Sequence, residues 1–263
     1  MEKICVFLFS GTGMTRYIID RMKAEFEKRQ VAVDIFDIEN MRVQDVPFQD
    51  YNAAGIAYPV HSFNAPKLVI DFAKRLPKVD PTSMFVVSTA GSGSKLNFAS
   101  SGLLVRILRR KGFVVFYEKQ FIMPSNFLKK DNEMEARQKI EKADMEIPQA
   151  AYGVLGYINT RIEAGIPAKI VAFIGRLEWF GARCIKLNAG NACDRCGICA
   201  GKCPNRNITM DAERAVFKWN CGLCMRCLYL CPKRAIRIQF PFGRFALEDW
   251  YENDELQAAL TSR

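Results

Sequence analysis

The sequence predicts an α/β protein, with a doubly wound, five-stranded parallel sheet followed by a second, small domain. Two observations lead to this prediction. In the first part of the 263-residue chain, short runs rich in β-branched and aromatic residues alternate with helical patterns. Further along, eight of the ten cysteines lie between Cys193 and Cys231, in two copies of one spacing pattern. The apolar share of 49% and the charged share of 25% are those of an ordinary globular protein.

Five strands and four helices alternate along residues 1–147. The predicted strands are Ile4–Phe9, Val31–Phe36, Ala53–Tyr58, Met84–Ser88 and Phe113–Phe121. The predicted helices cover residues 15–29, 66–76, 98–111 and 132–146. Strands that alternate with helices across short loops form a parallel sheet that helices cover on both faces. Ligands bind such sheets beyond the carboxyl ends of the strands, so the loops after the strands form the candidate site.

The loop after the first strand has the composition of a phosphate-binding site. It consists of Ser10, Gly11, Thr12, Gly13, Met14 and Thr15, and it leads directly into a predicted helix. Hydroxyl groups and glycine-exposed backbone N–H groups at a helix N-terminus bind phosphate. The loop lacks the Gly-Lys-Ser/Thr of nucleoside-triphosphate loops, so ATP chemistry is not favoured. A tight turn with helix caps is the alternative, and the position after the first strand favours phosphate binding.

The cysteines form two copies of one ligand pattern. The first copy is Cys193, Cys196, Cys199 and Cys203 before Pro204, and the second is Cys221, Cys224, Cys227 and Cys231 before Pro232. This is the run of bacterial ferredoxins, in which three thiolates hold one [4Fe–4S] cluster and the fourth binds the other cluster. We therefore predict a first quartet of Cys193, Cys196, Cys199 and Cys231, and a second quartet of Cys203, Cys221, Cys224 and Cys227. Structural zinc is the alternative, but zinc usually takes cysteine pairs separated by a longer spacer.

The segment from Phe9 to Thr15 resembles the phosphate loop of flavodoxins, which hold FMN, with Met14 where many flavodoxins carry Asn. Together with the cysteine motifs, it makes the chain resemble flavodoxin–ferredoxin fusion proteins of clostridia and related anaerobes. The resemblance implies a flavodoxin-like, FMN-binding domain over residues 1–147 and an α+β, bacterial ferredoxin-like domain over residues 188–240. Between and after them lie a helical linker over residues 148–187 and a C-terminal tail over residues 241–263.

The resemblance also implies that two further loops contact the flavin. Their residues are Tyr58, Pro59, His61 and Phe63 after the third strand, and Thr89, Ala90, Gly91, Gly93 and Lys95 after the fourth. Flavodoxins usually hold the ring between aromatic side chains from both loops. This chain has no aromatic residue from Ser88 to Asn97, so we expect one flavin face to be uncovered. His61 is the only histidine, and a lone histidine is more often structural or exposed than catalytic, so no catalytic residue is assigned beyond it.

The predicted linker contains a stripe of apolar residues at helical spacing. The stripe consists of Ile166, Ile170, Phe173, Ile174 and Leu177. We expect a helix that packs one domain on the other; the alternative is a docking or membrane-surface helix, because Lys169 and Arg176 interrupt the stripe. No uninterrupted apolar stretch is long enough to span a membrane, and the N-terminal apolar run is too short for a signal peptide. A cytoplasmic location is therefore expected.

The formal net charge of +10 suggests an acidic partner. Eight thiolates, two iron–sulfur cores and one FMN would lower the charge of the loaded protein to about +4. Basic residues are also spread along the chain, so nucleic-acid binding is not expected. A residual basic face suits docking to an acidic redox protein.

These observations predict an electron-transfer protein that passes electrons between two [4Fe–4S] clusters and FMN. FMN holds up to two electrons and each cluster exchanges one, so the chain would link one-electron and two-electron redox partners. The partners would be a ferredoxin-type donor or a reductase acceptor. One alternative is an oxidoreductase that reduces a small molecule at FMN with electrons from the clusters. A redox sensor is a further alternative.

Overall fold

The computed structural model describes residues 1–42, 46–125, 131–176, 186–240 and 243–245. The larger part contains strands β1 (Lys3–Leu8), β2 (Ala32–Asp37), β3 (Ala53–Pro59), β4 (Thr82–Ala90) and β5 (Phe113–Ile122). Its helices are α1 (Met14–Glu27), α2 (Lys67–Arg75), α3 (Gly102–Arg110), α4 (Glu133–Leu155) and α5 (Ile166–Gly175), with 3₁₀ turns at Phe48–Asp50 and Lys95–Ala99. The cysteine-rich part contains β6 (Lys186–Ala189), α6 (Ile198–Gly201), β7 (Ile208–Met210), β8 (Ala215–Phe217), α7 (Arg226–Tyr229), β9 (Ile236–Phe240) and β10 (Gly243–Phe245).

The first five strands form one parallel sheet in the order β2-β1-β3-β4-β5. This is the strand order of the flavodoxin-like doubly wound fold, so the predicted fold class is confirmed. Each predicted strand agrees with an observed one to within about two residues. The prediction succeeds because strands buried on both faces are continuous apolar runs, which are easy to recognise.

The alternation of side chains along each strand divides the apolar residues between two cores. In β1, Ile4, Val6 and Leu8 belong to the core under α1 and α4, whereas Cys5 and Phe7 belong to the core under α2 and α3. All of these side chains are at most 1% exposed. Two covered faces leave the carboxyl ends of the strands as the place where a ligand can approach the sheet.

Helix α4 is longer than predicted. It begins at a capping box, in which Asn132 accepts from the backbone N–H of Glu135 and the Glu135 carboxylate accepts from the backbone N–H of Asn132. It continues to Leu155, so the predicted helix end at residue 146 is wrong. Ala151 and Val154 are fully buried in the first core. We therefore propose that the first domain extends beyond its predicted end at residue 147.

Helix α5 packs through its small residues rather than through the predicted apolar stripe. Ala168 and Ala172 are buried against Ala99 of the 3₁₀ turn. A Cβ on Gly175 would lie 2.2 Å from the carbonyl oxygen of Ser62, so only glycine permits this approach. The large residues Ile166, Ile170, Phe173 and Ile174 are 54–73% exposed. The expectation that these four residues form the packing face is wrong, and Leu177 lies outside the described residues.

The cysteine-rich part has an α+β arrangement with its own apolar core. Strands β6, β9 and β10 form an antiparallel sheet, and β7 and β8 form a hairpin. Leu187, Phe217, Leu228 and Ile238 are the centre of its core, against which six of the eight predicted ligand cysteines pack. In the parts of the chain that the structure covers, no helix is long and apolar enough to cross a membrane.

Candidate functional site

A cleft lies at the carboxyl ends of four strands of the parallel sheet. Its lining consists of Ser10, Gly11, Thr12, Met14, Thr15, Pro59, His61, Thr89, Ala90, Gly91, Met123, Pro124 and Cys224. The enclosed part measures about 30 Å³, and the cleft as a whole measures about 360 Å³ including space open to solvent. The enclosed volume of about 30 Å³ is far below the roughly 300–1,000 Å³ of typical ligand pockets, so most of a bound nucleotide would lie in the open part.

The loop from Ser10 to Thr15 is held in place by its own hydrogen bonds. Gly13 has φ of 91° and forms the N-cap of α1, which explains the glycine at this position. The Ser10 hydroxyl accepts from the backbone N–H of Arg16 at 3.3 Å. The hydroxyls of Thr15 and Thr89 are hydrogen-bonded at 2.8 Å and join this loop to the end of β4. The arrangement presents the first N–H groups of α1, which lack intrahelical partners, to the cleft.

Ten of the fifteen residues predicted to bind the cofactor line this cleft, and Gly13 supports their loop. The remaining four do not. Tyr58 is fully buried in the core under α2 and α3, so its side chain cannot reach a ligand. Phe63 packs against the cluster formed by Ala99, Ala168 and Ala172. Gly93 and Lys95 are exposed outside the cleft. The structure thus brings eleven of the predicted residues together at the cleft and places these four elsewhere.

His61 is the aromatic residue of the second loop that reaches the cleft. Its backbone N–H and C=O both pair with Asn64, which fixes a tight turn. Its ring meets the ring of Phe9 edge-on, with 6.5 Å between centroids. Burial lowers the pKa of His61 to about 4, so the imidazole is neutral at pH 7. A neutral imidazole can donate or accept one hydrogen bond, or stack on a ring.

Sequence reasoning missed Met123 and Pro124, which line the cleft. Both residues follow β5 directly, and Met123 donates its backbone N–H to Ala90 at 2.9 Å. The rule that ligands bind beyond the carboxyl ends of parallel strands could have indicated them, because β5 neighbours β4 in the sheet.

The first cysteine quartet lines one small cavity. Cys193, Cys196, Cys199 and Cys231 are all on its wall, with an enclosed volume of about 10 Å³. Three of these cysteines come from the first sequence copy and one from the second, as the crosswise pattern predicts. Burial, together with repulsion from the other three thiols of the quartet, raises the pKa of the Cys199 thiol to about 11.

The second quartet is grouped in the same crosswise way. Burial raises the pKa of Cys227 well above its usual value, and Cys224, Cys221 and Cys203 raise it further by repulsion. The thiol of Cys203 accepts from the backbone N–H of Asn207 at 3.3 Å, and that of Cys221 from Leu223 at 3.4 Å. All nine cysteines in the described part of the chain have free thiols.

Among the described residues, no three His, Cys, Asp or Glu side chains converge closely enough to hold a metal ion. A single zinc ion with Zn–S bonds of about 2.3 Å would bring its thiolates within about 4 Å of each other. A cube of four irons and four sulfides lies between its ligands and keeps them farther apart. The four thiolates of a site are therefore farther apart around an iron–sulfur cube than around one zinc ion.

The second cysteine motif lies against the loop from Ser10 to Thr15, which is predicted to bind phosphate. A Cβ on Gly11 would lie 2.3 Å from the carbonyl oxygen of Cys224, so the two backbones are in close contact. Arg226 forms an ion pair with Glu39 at 2.6 Å and donates to the carbonyl oxygen of Ser10 at 2.8 Å. Cys224 thereby becomes part of the cleft wall. No local sequence pattern indicates this contact, because Glu39 and Arg226 are 187 residues apart.

No protein-family model and no curated protein matches this chain. Several solved structures are similar to it. A flavodoxin from the domain Archaea shares 12% identity, covers 59% of this chain and 99% of its own, and has a TM-score of 0.38. The flavodoxin of Streptococcus pneumonia TIGR4 shares 16% identity over 59% of this chain and 98% of its own, with a TM-score of 0.41. Two-electron reduced Megasphaera elsdenii flavodoxin shares 17% identity over 57% of this chain and 98% of its own, also with a TM-score of 0.41. At these scores the similarities add nothing to the fold that the strand order already establishes.

Proposed function

We propose that this chain is an electron-transfer protein that carries FMN and two [4Fe–4S] clusters, and that it passes electrons between them. One observation carries the proposal: Cys224, a predicted cluster ligand, lines the same cleft as the predicted phosphate loop. Two sequence motifs that separately indicate different redox cofactors thus meet at one place. A short distance between cofactors is what intramolecular electron transfer requires.

The cleft suits the phosphate end of a flavin nucleotide. The hydroxyls of Ser10 and Thr12, one of the paired Thr15 and Thr89 hydroxyls and the N-terminus of α1 can donate to phosphate oxygens. The small enclosed volume would take the phosphate, and the flavin ring would lie in the open part, near His61. The positive end of the α1 dipole favours the negative charge of the phosphate.

The two quartets suit iron–sulfur cubes. Each brings together four thiols, three from one sequence copy and one from the other, as the ferredoxin pattern requires. Backbone N–H groups donate to the sulfur atoms of Cys203, Cys221 and Cys231 at 3.3–3.4 Å. Hydrogen bonds of this kind to cluster ligands tune the reduction potential. Thiols whose pKa is raised by burial become thiolates when iron binds them.

When bound, FMN would supply a group that exchanges one or two electrons, while each cluster exchanges one. The chain itself contributes positioning. The phosphate loop fixes one end of the nucleotide, and the motif around Cys224 closes over it. Because both cofactors are held by one chain, transfer between them would not depend on the concentration of a second protein.

The geometry favours a carrier over a reductase of small molecules. Among the residues that line the cleft, His61 and Cys224 are the titratable ones, so the lining offers no paired acid and base for chemistry on a bound substrate. Redox proteins would instead exchange electrons at the protein surface. An acidic protein of the ferredoxin type is the proposed donor, because the chain keeps a positive charge after the cofactors are counted.

Anaerobic purification followed by quantification of iron, sulfide and flavin tests this proposal. We expect about eight irons, about eight sulfides and one FMN per chain. Zinc in place of iron, or the absence of flavin from protein that was refolded or purified with excess FMN, would overturn it. Conversion of both quartets to serine should remove the iron and leave FMN binding to the first domain.

A further inference from the structure

We infer that Arg226 is a positioning residue that holds the second cysteine motif against the phosphate loop. This makes the cluster of the second quartet the one beside the flavin, and the cluster of the first quartet the one that meets the redox partner. The inference rests on the proposed function, and it adds an order to the electron path and names the residue that fixes this order.

The contacts of Arg226 join three segments of the chain. Its Nη1 and Nη2 atoms donate to the two carboxylate oxygens of Glu39 at 2.6 and 3.0 Å, which is the bidentate geometry of a strong charged pair. Nη2 also donates to the carbonyl oxygen of Ser10 at 2.8 Å, and Nη1 to that of Lys202 at 3.1 Å. The guanidinium lies 5.9 Å from the ring centroid of Phe9.

Because this ion pair is buried, it holds the cysteine-rich part firmly against the first domain. The side chains of Arg226 and Glu39 are only 3% and 6% exposed. A buried charge whose partner is removed is strongly unfavourable, whereas an exposed pair contributes little. If the cysteine-rich part moved away, both charges would be separated from each other and would need water. We call the arrangement in which the second cysteine motif contacts the loop from Ser10 to Thr15 the docked arrangement. It depends on this ion pair.

The two copies of the cysteine motif differ at the residue that forms this buried ion pair. Arg226 precedes the third cysteine of the second copy, and Ile198 occupies the same place in the first copy. The backbone is similar in both copies, since the residue before each short helix, Gly197 or Met225, has a positive φ of 75° or 60°. Ile198 is 39% exposed and makes no such contact. The copy that docks is thus selected by one substitution within a structural repeat.

The first quartet has the opposite environment. Cys196 is exposed, whereas Cys224, its counterpart in the second copy, lines the cleft. Electrons would therefore enter at the first quartet, pass to the second quartet and then reach the flavin.

Arg226→Met tests the positioning role of this ion pair, because methionine keeps an unbranched side chain but lacks the charge and the hydrogen-bond donors. The matched control is Arg137→Met, which makes the same exchange at an exposed ion pair with Glu133 on α4. We expect Arg226→Met to lower the ratio of docked to undocked molecules by about 100-fold, because Glu39 would be left buried without a partner. Hydrogen exchange of the loop from Ser10 to Thr15 should become faster. Reduction of the flavin by a reduced ferredoxin should become slower, and the control should change neither.

Glu39→Gln separates docking from any role of Arg226 in the fold of its own module. This variant breaks the same pair from the flavodoxin-like side and leaves the cysteine-rich part unchanged. We expect unchanged iron and FMN contents, with faster hydrogen exchange in the phosphate loop and slower flavin reduction. If both variants keep the loop protection and transfer rate of Arg137→Met, the inference is wrong. Hydrogen exchange needs no electron flow, so it tests the contact even if the wild-type chain proves to bind no flavin, in which case only the proposed function fails.

Discussion

Gly11→Ala is expected to separate the phosphate loop from the second cysteine motif, because an added methyl group would occupy the same space as the Cys224 backbone. Its Cβ would lie 2.3 Å from the Cys224 carbonyl oxygen. Ordinary contacts between carbon and oxygen are about 3.3 Å or longer, so one backbone would have to move by about 1 Å. Such overpacking typically costs about 1–3 kcal/mol. The carbonyl is main chain, so no rotamer change can relieve the contact.

Gly93→Ala is the matched control for this substitution. Gly93 is in another loop that was predicted to contact the flavin, and a Cβ there would meet nothing within 4 Å. Chemical denaturation of the loaded proteins should show a loss of about 1–3 kcal/mol for Gly11→Ala and little change for Gly93→Ala. Hydrogen exchange should locate the loss at residues 10–15 and 221–227. If both alanine variants have the stability and exchange pattern of the wild type, the described contact between the two parts is not present in solution.

Three further predictions concern the cleft and the limits of the first domain. His61 should titrate near pH 4 in the oxidised protein. Because its pKa in the unfolded chain is about 6.5, the folded state should lose stability as the pH falls from about 6.5 towards 4. NMR of this single histidine measures the midpoint of the titration, and a midpoint near pH 6.5 would contradict the burial of the ring. Thr15→Val should weaken FMN binding up to about tenfold and cost about 1 kcal/mol of stability, because Thr89 loses its partner, while adding Thr89→Val should restore most of the stability but not the affinity. Gly153→Ala should destabilise the protein by about 1–3 kcal/mol, because its Cβ would lie 2.6 Å from the Tyr117 ring; unchanged denaturation would show that the second half of α4 does not pack on the sheet.

The first domain and the cysteine grouping could be predicted because both depend on local spacing. Apolar runs of six to ten residues identify strands that are buried on both faces. The spacing of Cys193, Cys196 and Cys199 identifies three ligands, and the duplication assigns the fourth to the other copy. The structure groups the thiols as this pattern implies, with Cys231 on the wall of the first cavity.

Tyr58 lies in the core rather than on the cleft wall because of its position in a strand. It comes two residues after Ile56 in β3, so both side chains are on the same face. That face is the core under α2 and α3, where Ile56 and Tyr58 are both fully buried. The period of two along the strand could have placed this ring in the core.

The packing face of α5 could not be found from apolar periodicity. Large residues recur at helical spacing on one side of the helix, yet Ala168, Ala172 and Gly175 form the buried side. Small residues allow the backbones to approach, and Asn64 then donates to the carbonyl oxygen of Ala172 at 2.8 Å. Apolar periodicity is dominated by large side chains, whereas close backbone packing requires small side chains.

The contact between the two parts also could not be predicted from local pattern. Glu39 follows β2 and Arg226 begins a four-residue helix, and each by itself is an ordinary charged residue. Only the three-dimensional arrangement brings them together and buries them. The proposed order of the electron path therefore depends on a contact that short-range sequence signals do not indicate.

Single-turnover reduction of the flavin tests the central claim most directly. The chain loaded with FMN and clusters is mixed anaerobically with a reduced ferredoxin, beside the same chain that holds FMN but has lost both clusters through substitution of its cysteines by serine. The account predicts that flavin absorbance falls much faster in the fully loaded protein, because electrons reach the flavin through the second quartet. Equal rates in the two proteins would contradict it.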